Sequence, residues 1–241
     1  MIKTETGPAV LITGAAVLGK EPKDILIAGR TIVAVGQVGS LNEQIATEQE
    51  NRGEVLEIDG TGLVALPGLV DLHTHLREPG REDAETVASG TRAAALGGFT
   101  AVFAMANTSP VADTAGVVEQ VWRLGKESGY ADVYPVGAIT QGLAGKQLAE
   151  LSAMATSAAQ VRIFSDDGMC VNDPVLMRRA LEYVKTFDGI IAQHSQDHRL
   201  TENAQMNEGE VSAELGLTGW PAVAEEAIIA RDVLLAHHVN S

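Results

Sequence analysis

Residues 68–80 read G-L-V-D-L-H-T-H-L-R-E-P-G, an apolar run that leads into two histidines and a Pro-Gly turn. Such a run is typical of a buried β-strand. Because alternate residues of a strand share a face, His73 and His75 are expected to point together. Leu72 and Thr74 would then face the other way, into helix packing. Two imidazoles on one face can bind one metal cation, so the stretch predicts a metal site at a strand end. The alternative is a pair of satisfied or surface histidines.

This stretch begins a repeat of apolar strands and amphipathic helices. Strands are predicted at residues 68–75, 99–105, 133–139, 161–165 and 189–194. Helices are predicted at residues 84–96, 114–128, 174–186 and 221–237. Short strands that alternate with helices, several of them uniformly apolar, indicate a parallel sheet covered by helices.

Residues at the ends of two helices support this assignment. Asp113 is predicted to be the N-cap of the helix at 114–128, with Gly129 just past its end. Asp173 is predicted to be the N-cap of the helix at 174–186, where Pro174 suits the first helical position.

The parallel sheet could be an open doubly wound sheet or a (β/α)8 barrel. No G-x-G-x-x-G follows the first strand, and Gly97-Gly98 precedes a strand, which removes the main support for a dinucleotide-binding fold. We therefore predict an α/β fold of the (β/α)8 TIM-barrel type, with residues 67–241 forming about the first five β/α units. A barrel cut open in this way exposes an apolar sheet edge and uncovered helix faces, so self-association is expected.

The first 66 residues show a different pattern. Short runs rich in Val and Ile are separated by turn residues at Gly29-Arg30 and Asp59-Gly60, which predicts a small antiparallel β-sandwich module. The hydrophilic residues 42–54 are predicted to form a surface excursion. The predicted domains are therefore residues 1–66 and residues 67–241.

Charge and composition argue against several classes of protein. The 17 basic and 32 acidic residues give a net charge of −15, which disfavours sequence-independent binding to nucleic acids or anionic membranes. No segment approaches the ~20 apolar residues that a membrane span needs. The first apolar run, interrupted by Thr13 and Gly14, makes a poor signal peptide. Cys170 is the only cysteine, so no intrachain disulfide can form and a cytoplasmic location is expected.

Four motifs, in a fixed order, carry a resemblance to a known family. They are D-L-H-T-H-L-R-E-P-G at 71–80, A-M-A-N-T-S-P-V-A-D at 104–113, F-S-D-D-G at 164–168 and I-A-Q-H at 191–194. Together they resemble the motifs of bacterial type I dihydroorotases, members of the amidohydrolase superfamily, and the resemblance extends over all 241 residues. It implies a zinc-dependent, reversible hydrolysis of L-dihydroorotate to N-carbamoyl-L-aspartate, a step of pyrimidine biosynthesis.

The resemblance also implies a centre of two Zn²⁺ ions. His73 and His75 would bind one ion. Asp167 would bridge the two ions, and His194 would bind the second. These residue types suit the roles, because zinc accepts both imidazole and carboxylate ligands. Without the resemblance, residues 166–168 are equally consistent with a simple turn, and His194 with a satisfied histidine at a strand end.

The resemblance assigns Arg77 and Asn107 to the binding of the substrate carboxylate, with His75 also close to the substrate. A guanidinium can hold a carboxylate through two parallel hydrogen bonds, and an amide can add a donor. The proton-transferring Asp of the family and a further His ligand belong to later strands, beyond Ser241. No catalytic residue is therefore assigned, and these 241 residues alone are expected to be inactive.

Two alternatives to an active dihydroorotase remain open. Another cyclic-amide hydrolase, such as a hydantoinase or an allantoinase, is disfavoured by R-E-P-G and by Asn107. Some dihydroorotase-like chains have lost metal ligands and serve as structural partners of aspartate transcarbamoylase, and the intact ligand set argues against that role. Besides the small-molecule substrate, the candidate partners are a second copy of the chain and aspartate transcarbamoylase.

Overall fold

The computed structural model describes residues 7–241. By their internal contacts, these residues divide into two compact units, the first ending at Pro67 and the second spanning Gly68–Ser241. The division coincides with the change of sequence pattern near Pro67.

The first unit is built on one mixed β-sheet. Its elements are β1 (Ala9–Val17), β2 (Pro22–Ala28), β3 (Thr31–Gln37), α1 (Asn42–Arg52), β4 (Val55–Asp59) and β5 (Val64–Ala65). The strand order is β3-β2-β1-β4, and β5 also pairs with β1. Strands β1, β2 and β3 are antiparallel neighbours, but β4 and β5 run parallel to β1. The antiparallel prediction is therefore wrong for these two strands.

Helix α1 explains the parallel pairing of β4 with β1. Parallel neighbours need a crossover connection, which is usually a helix, and α1 provides it between β3 and β4. No side chain of α1 is fully buried, so its predicted surface position is confirmed. Its helical structure was missed, because a hydrophilic segment shows no apolar periodicity.

Five parallel strands organise the second unit. They are β6 (Leu69–Thr74), β7 (Phe99–Ala104), β8 (Asp132–Pro135), β9 (Ile163–Phe164) and β10 (Ile190–Ile191). Strands β6, β7 and β8 pair in that order, and β9 pairs with β10. A parallel bridge between Gly137 and Phe164 joins the two sets. All five predicted strands are present, and their spatial order is their order in the chain.

Helices follow the strands of this unit. They are α2 (Val87–Leu96), α3 (Ala115–Ser128), α4 (Leu151–Thr156), α5 (Pro174–Val184), α6 (Glu210–Leu215) and α7 (Val223–Val239). A further pair of short parallel strands, β11 (Met206–Asn207) and β12 (Gly219–Trp220), precedes α7. The four predicted helices correspond to α2, α3, α5 and α7. The others were missed because elements of two to six residues are too short to show a period.

The structure confirms one predicted helix cap and corrects another. The side chain of Asp173 accepts hydrogen bonds from two backbone N–H groups at the start of α5. Gly129 ends α3 in the left-handed conformation, with φ 68°. The Asp113 prediction is wrong, because the N-cap of α3 is Thr114. The Asp113 carboxylate instead accepts a hydrogen bond of 2.8 Å from the backbone N–H of Gly142, so it holds the loop after β8.

The core of the second unit lies between the strands and the helices. Its largest fully buried side chains are Phe164, Ile139, Leu151, Met154 and Met177. Other apolar side chains are exposed, among them Leu69, Val70 and Leu72 on β6 and Val233 and Leu234 on α7. Exposed apolar surface of this kind is what the expected self-association requires, and self-association stays a prediction. In residues 7–241, no helix has both the length and the apolar character needed to cross a membrane.

Gly125 marks a close approach between α3 and β8. A Cβ at this position would lie 2.5 Å from the Cβ of Val133, and both residues are buried. We expect Gly125→Ala to destabilise the chain by roughly 1–3 kcal/mol in urea unfolding, because overpacking outweighs the better helix propensity of alanine. The control is Gly116→Ala on the same helix, where the added Cβ meets no atom within 4 Å. Equal stabilities of the two variants would contradict the close approach.

Candidate metal centre

His73 and His75 lie side by side at the carboxyl end of β6. Their ring centroids are 5.2 Å apart, with an angle of 68° between the ring planes. Thr74 turns to the other side, where its hydroxyl donates a 2.8 Å hydrogen bond to the carbonyl oxygen of Phe103 on β7. The alternation expected of a strand therefore brings the two imidazoles together.

Asp167 reaches the same place from the segment that follows β9. Its Oδ1 lies 3.1 Å from Nε2 of His73, and its Oδ2 lies 3.5 Å from Nε2 of His75. The candidate ligand atoms of the three residues all lie within 4.8 Å of one another. Among residues 7–241, no other group of three or more His, Cys, Asp or Glu side chains meets that condition.

Asn107 connects His75 to Asp167. Its Nδ2 donates a 3.0 Å hydrogen bond to Asp167 Oδ2, and its Oδ1 lies 3.0 Å from Nδ1 of His75. A carboxylate oxygen can only accept, so the amide nitrogen must face Asp167 and the amide oxygen must face His75. The amide oxygen in turn needs a donor, which places the proton of His75 on Nδ1. In a neutral imidazole of that tautomer, Nε2 carries a lone pair that faces Asp167.

This arrangement fits a metal ion. Nε2 of His75 and Oδ2 of Asp167 both present electron pairs, and their separation of 3.5 Å is beyond the about 2.7–3.2 Å of an N–H···O hydrogen bond. A cation held by both atoms satisfies them together. The Asp167 side chain is only 10% exposed, so water satisfies little of its charge. Zinc is suited to a set of imidazole nitrogens and carboxylate oxygens.

His194 lies outside this group of three ligands. It follows β10 in an irregular segment, and its Nε2 is 2.8 Å from Oε1 of Gln196. The structure thus brings together three of the four metal ligands that the resemblance implies. The role of His194 at a second ion stays a prediction.

Arg77, Asn107 and His75 line one small pocket. Arg77 is exposed and adopts a left-handed backbone conformation, with φ 61°. The loop that carries it is tied to α2, because Oε2 of Glu78 accepts a 2.7 Å hydrogen bond from the backbone N–H of Val87. Within residues 7–241, the Arg77 guanidinium makes no hydrogen bond or ion pair. It is therefore available to an anionic ligand, whereas the Asn107 amide is engaged with His75 and Asp167.

Comparison with known proteins connects this geometry to a family. Residues 62–241 match the family described as Dihydro-orotase-like. The chain belongs to that family. The dihydroorotases of Streptomyces coelicolor and Leifsonia xyli are 69% and 65% identical to it over 231 residues. Those residues are 96% of this chain but 51% and 50% of the relatives. The dihydroorotase-like chain thus spans about half the length of the curated relatives it matches.

A solved structure shows the same fold. The L-hydantoinase of Arthrobacter aurescens matches 95% of the dihydroorotase-like chain with a TM-score of 0.69, and the match covers 51% of the hydantoinase. Sequence identity is 17%, so the likeness is one of fold alone. The α/β fold expected from the sequence is confirmed at this level.

One polar residue beside the centre of this dihydroorotase-like chain was not singled out from the sequence. Asp166 is 1% exposed. Its Oδ1 accepts hydrogen bonds from the backbone N–H groups of Ile139 and Thr140, at 2.7 and 2.9 Å, and its Oδ2 accepts one from the Thr140 hydroxyl. Burial raises the pKa of the Asp166 carboxyl, and these hydrogen bonds oppose the increase. No local pattern marks Asp166, because the residues that donate to its carboxylate lie 27 and 26 positions earlier in the chain.

Removing the Asn107 side chain tests its contact with His75 and Asp167. We expect Asn107→Ala to weaken zinc binding roughly 10- to 100-fold, the usual effect of losing a partner that orients metal ligands. Competition with a chromophoric chelator measures the affinity. The control is Asn207→Ala, because within residues 7–241 the Asn207 amide donates only to the carbonyl of Glu208. Zinc affinity equal to that of the unchanged chain in Asn107→Ala would show that the amide does not orient the ligands.

Proposed function

We propose that these residues belong to a dihydroorotase, which hydrolyses L-dihydroorotate reversibly to N-carbamoyl-L-aspartate with the help of zinc in pyrimidine biosynthesis. The observation that carries this proposal is the convergence of His73, His75 and Asp167. It occurs in a chain that is 69% identical, over 231 residues, to a protein named dihydroorotase. Decay to a non-catalytic partner of aspartate transcarbamoylase is disfavoured, because these ligands are present and aimed at one another.

The proposed setting is a (β/α)8 TIM barrel, preceded by the β module of residues 1–66, whose one mixed sheet would form a layer of a β-sandwich. Five parallel strands, ordered in space as in the chain, support the barrel. The candidate ligands follow the carboxyl ends of β6 and β9, and barrel enzymes build their active sites at that end of the strands. In this proposal His194, after β10, would hold the second of two Zn²⁺ ions, and Asp167 would be shared between them.

This proposal gives each of the chain's own site residues a separate role. His73 and His75 would hold zinc through Nε2, and Asp167 through its two carboxylate oxygens. Zinc supplies a Lewis acid that activates water and polarises the amide carbonyl. Asn107 keeps the proton of His75 on Nδ1, so that Nε2 remains a ligand. Arg77 binds the substrate carboxylate through two parallel hydrogen bonds, which orients the ring for attack.

Zinc binding by the 241-residue chain is the direct test of the centre. We expect zinc to raise its unfolding temperature, because a ligand that binds only the folded state stabilises it by about 2.7 kcal/mol at 100 times its Kd. The matched control is a His73→Ala, His75→Ala double variant, in which the shift should disappear. A melting temperature that is indifferent to zinc in the unchanged chain would contradict the proposed centre.

The substrate is tested with a chain of the relatives' full length. Zinc-dependent ring opening of dihydroorotate is expected to exceed that of hydantoin and allantoin. The opposite order of rates would indicate a hydantoinase or an allantoinase. That alternative is tested because the L-hydantoinase has the same fold. Co-purification with aspartate transcarbamoylase, without bound metal, would favour the non-catalytic role. A cytoplasmic location and a homodimer remain part of the proposal.

A further inference from the structure

Asp166 directly precedes the candidate ligand Asp167, but its own carboxylate is occupied by hydrogen bonds and is not available to a metal ion. Both oxygens of its buried carboxylate already accept hydrogen bonds from Ile139 and Thr140, which follow β8. Its backbone carbonyl accepts a further hydrogen bond of 2.7 Å from the N–H of Met169. Three donors from the segment after β8 therefore hold the residue that directly precedes Asp167.

Few contacts other than those of Asp166 fix the direction of the Asp167 side chain. In residues 7–241, the only hydrogen bond donated to its carboxylate by a group other than histidine comes from Asn107, which itself is exposed. The hydrogen bond from the Met169 N–H to the Asp166 carbonyl closes a turn that begins at Asp166 and has Asp167 as its second residue. Fixing Asp166 therefore fixes where the turn begins and the direction in which the Asp167 side chain leaves the backbone. That side chain faces His73 and His75.

The Thr140 hydroxyl extends this connection to the loop that follows β8. It donates to Oδ2 of Asp166 and accepts a 3.0 Å hydrogen bond from the backbone N–H of Gly145. Thr140 is itself fully buried. Two segments, the one after β8 and the one after β9, are thus joined through one carboxylate.

We infer that Asp166 is a positioning residue of the metal centre: its side chain fixes the start of the turn that carries Asp167 to the segment after β8, and this aims the Asp167 carboxylate at His73 and His75. The inference rests on the proposed zinc centre. It predicts that zinc affinity depends on a carboxylate that never contacts the ion.

The test uses zinc affinity and the visible spectrum of the Co²⁺-substituted 241-residue chain. Asp166→Ala is expected to weaken zinc binding 10- to 100-fold, the usual range for a residue that orients a ligand, and to change the Co²⁺ spectrum. Asp166→Asn keeps an oxygen for the N–H groups of Ile139 and Thr140, so it should restore most of the affinity. Thr140→Val removes only the hydroxyl and should weaken binding by a smaller factor.

The matched control is Asp113→Ala. Asp113 holds the same loop after β8, through the N–H of Gly142, but unlike Asp166 it is not next to Asp167 in the sequence. It should lower the stability of the metal-free chain in urea and leave zinc affinity and the Co²⁺ spectrum unchanged. If Asp113→Ala and Asp166→Ala lose affinity in proportion to stability, the role of Asp166 is merely structural and the inference is overturned.

Two further outcomes separate this inference from the proposed function. A folded Asp166→Ala variant with the affinity and spectrum of the unchanged chain overturns the inference alone. If that variant does not fold, Thr140→Val decides, and an unaltered affinity there overturns it equally. An unchanged chain that binds no zinc removes the proposed centre and the inference with it.

Discussion

Asp167→Ala is expected to weaken zinc binding by the chain at least ~100-fold, the largest effect on the site from any single substitution. Asp167 is the only anionic member of the ligand group and places one oxygen opposite each histidine. Its loss removes two ligand atoms and the negative charge that offsets the cation. Removing a ligand must cost at least as much as removing a residue that only orients one, which is roughly 10- to 100-fold.

Metal-free stability distinguishes this loss from unfolding. The Asp167 side chain is 10% exposed, so its removal takes away a poorly hydrated charge and should leave urea unfolding of the metal-free chain nearly unchanged. The control is Asp83→Ala, since the Asp83 side chain is 77% exposed and, among the described residues, forms an ion pair only with Arg81 at the surface. The interpretation fails if zinc binds Asp167→Ala and Asp83→Ala equally well.

Phe164→Ala is expected to cost about 3–5 kcal/mol of unfolding free energy, the largest effect on stability. Phe164 is 0% exposed and belongs to the core cluster of the second unit. Its ring packs beside that of Phe187, with centroids 5.8 Å apart, and it fills the space that Gly137 leaves open. Alanine would leave a cavity that strands on both sides of β9 cannot close.

Two matched variants define the measurement. Phe164→Leu keeps most of the volume and should cost roughly 1.5 kcal/mol or less. Phe187→Ala removes the same side chain from a position that is only partly buried, so its cost should be smaller than that of Phe164→Ala. Urea unfolding of the metal-free chains gives the values. Equal losses of unfolding free energy in Phe164→Ala and Phe187→Ala would contradict the claim that burial of Phe164 contributes more to stability than that of Phe187.

Phe164 also bears on the metal centre, because it lies three residues before Asp167 in the same segment. Its carbonyl oxygen accepts a 2.9 Å hydrogen bond from the N–H of Ala192, which follows β10. Phe164→Ala should therefore lower zinc affinity as well as stability, and Phe164→Leu should lower neither by much.

Local patterns predicted the elements whose signal is contained in a few residues. Apolar runs located five strands, and apolar periodicity located four helices. The Asp173-Pro174 pair located a helix start, because the cap and the first turn are neighbours in the chain. Asp113 and Thr114 are both able to cap, so sequence alone did not distinguish them. The choice depended on Gly142, which contacts Asp113 from a distant part of the chain.

The direction in which β4 and β5 pair with β1 was also not predictable from local sequence patterns. Their Val- and Leu-containing runs indicate strands, but pairing direction depends on which side of β1 the chain returns to, and hydrophilic α1 decides that. Asp166 was overlooked for a similar reason, because its three donors lie 26 and 27 residues earlier in the chain.

By itself, the sequence determined that His73 and His75 share a face, that strands alternate with helices, and which family the motifs resemble. These properties depend on the backbone geometry of short segments and on residue identity. Only the tertiary structure decided that Asp167 and Asn107 meet those histidines, that His194 lies apart from them, and that the segment after β8 holds the Asp166 side chain. Contacts between distant segments are selected by the packing of the whole core, which no local period encodes.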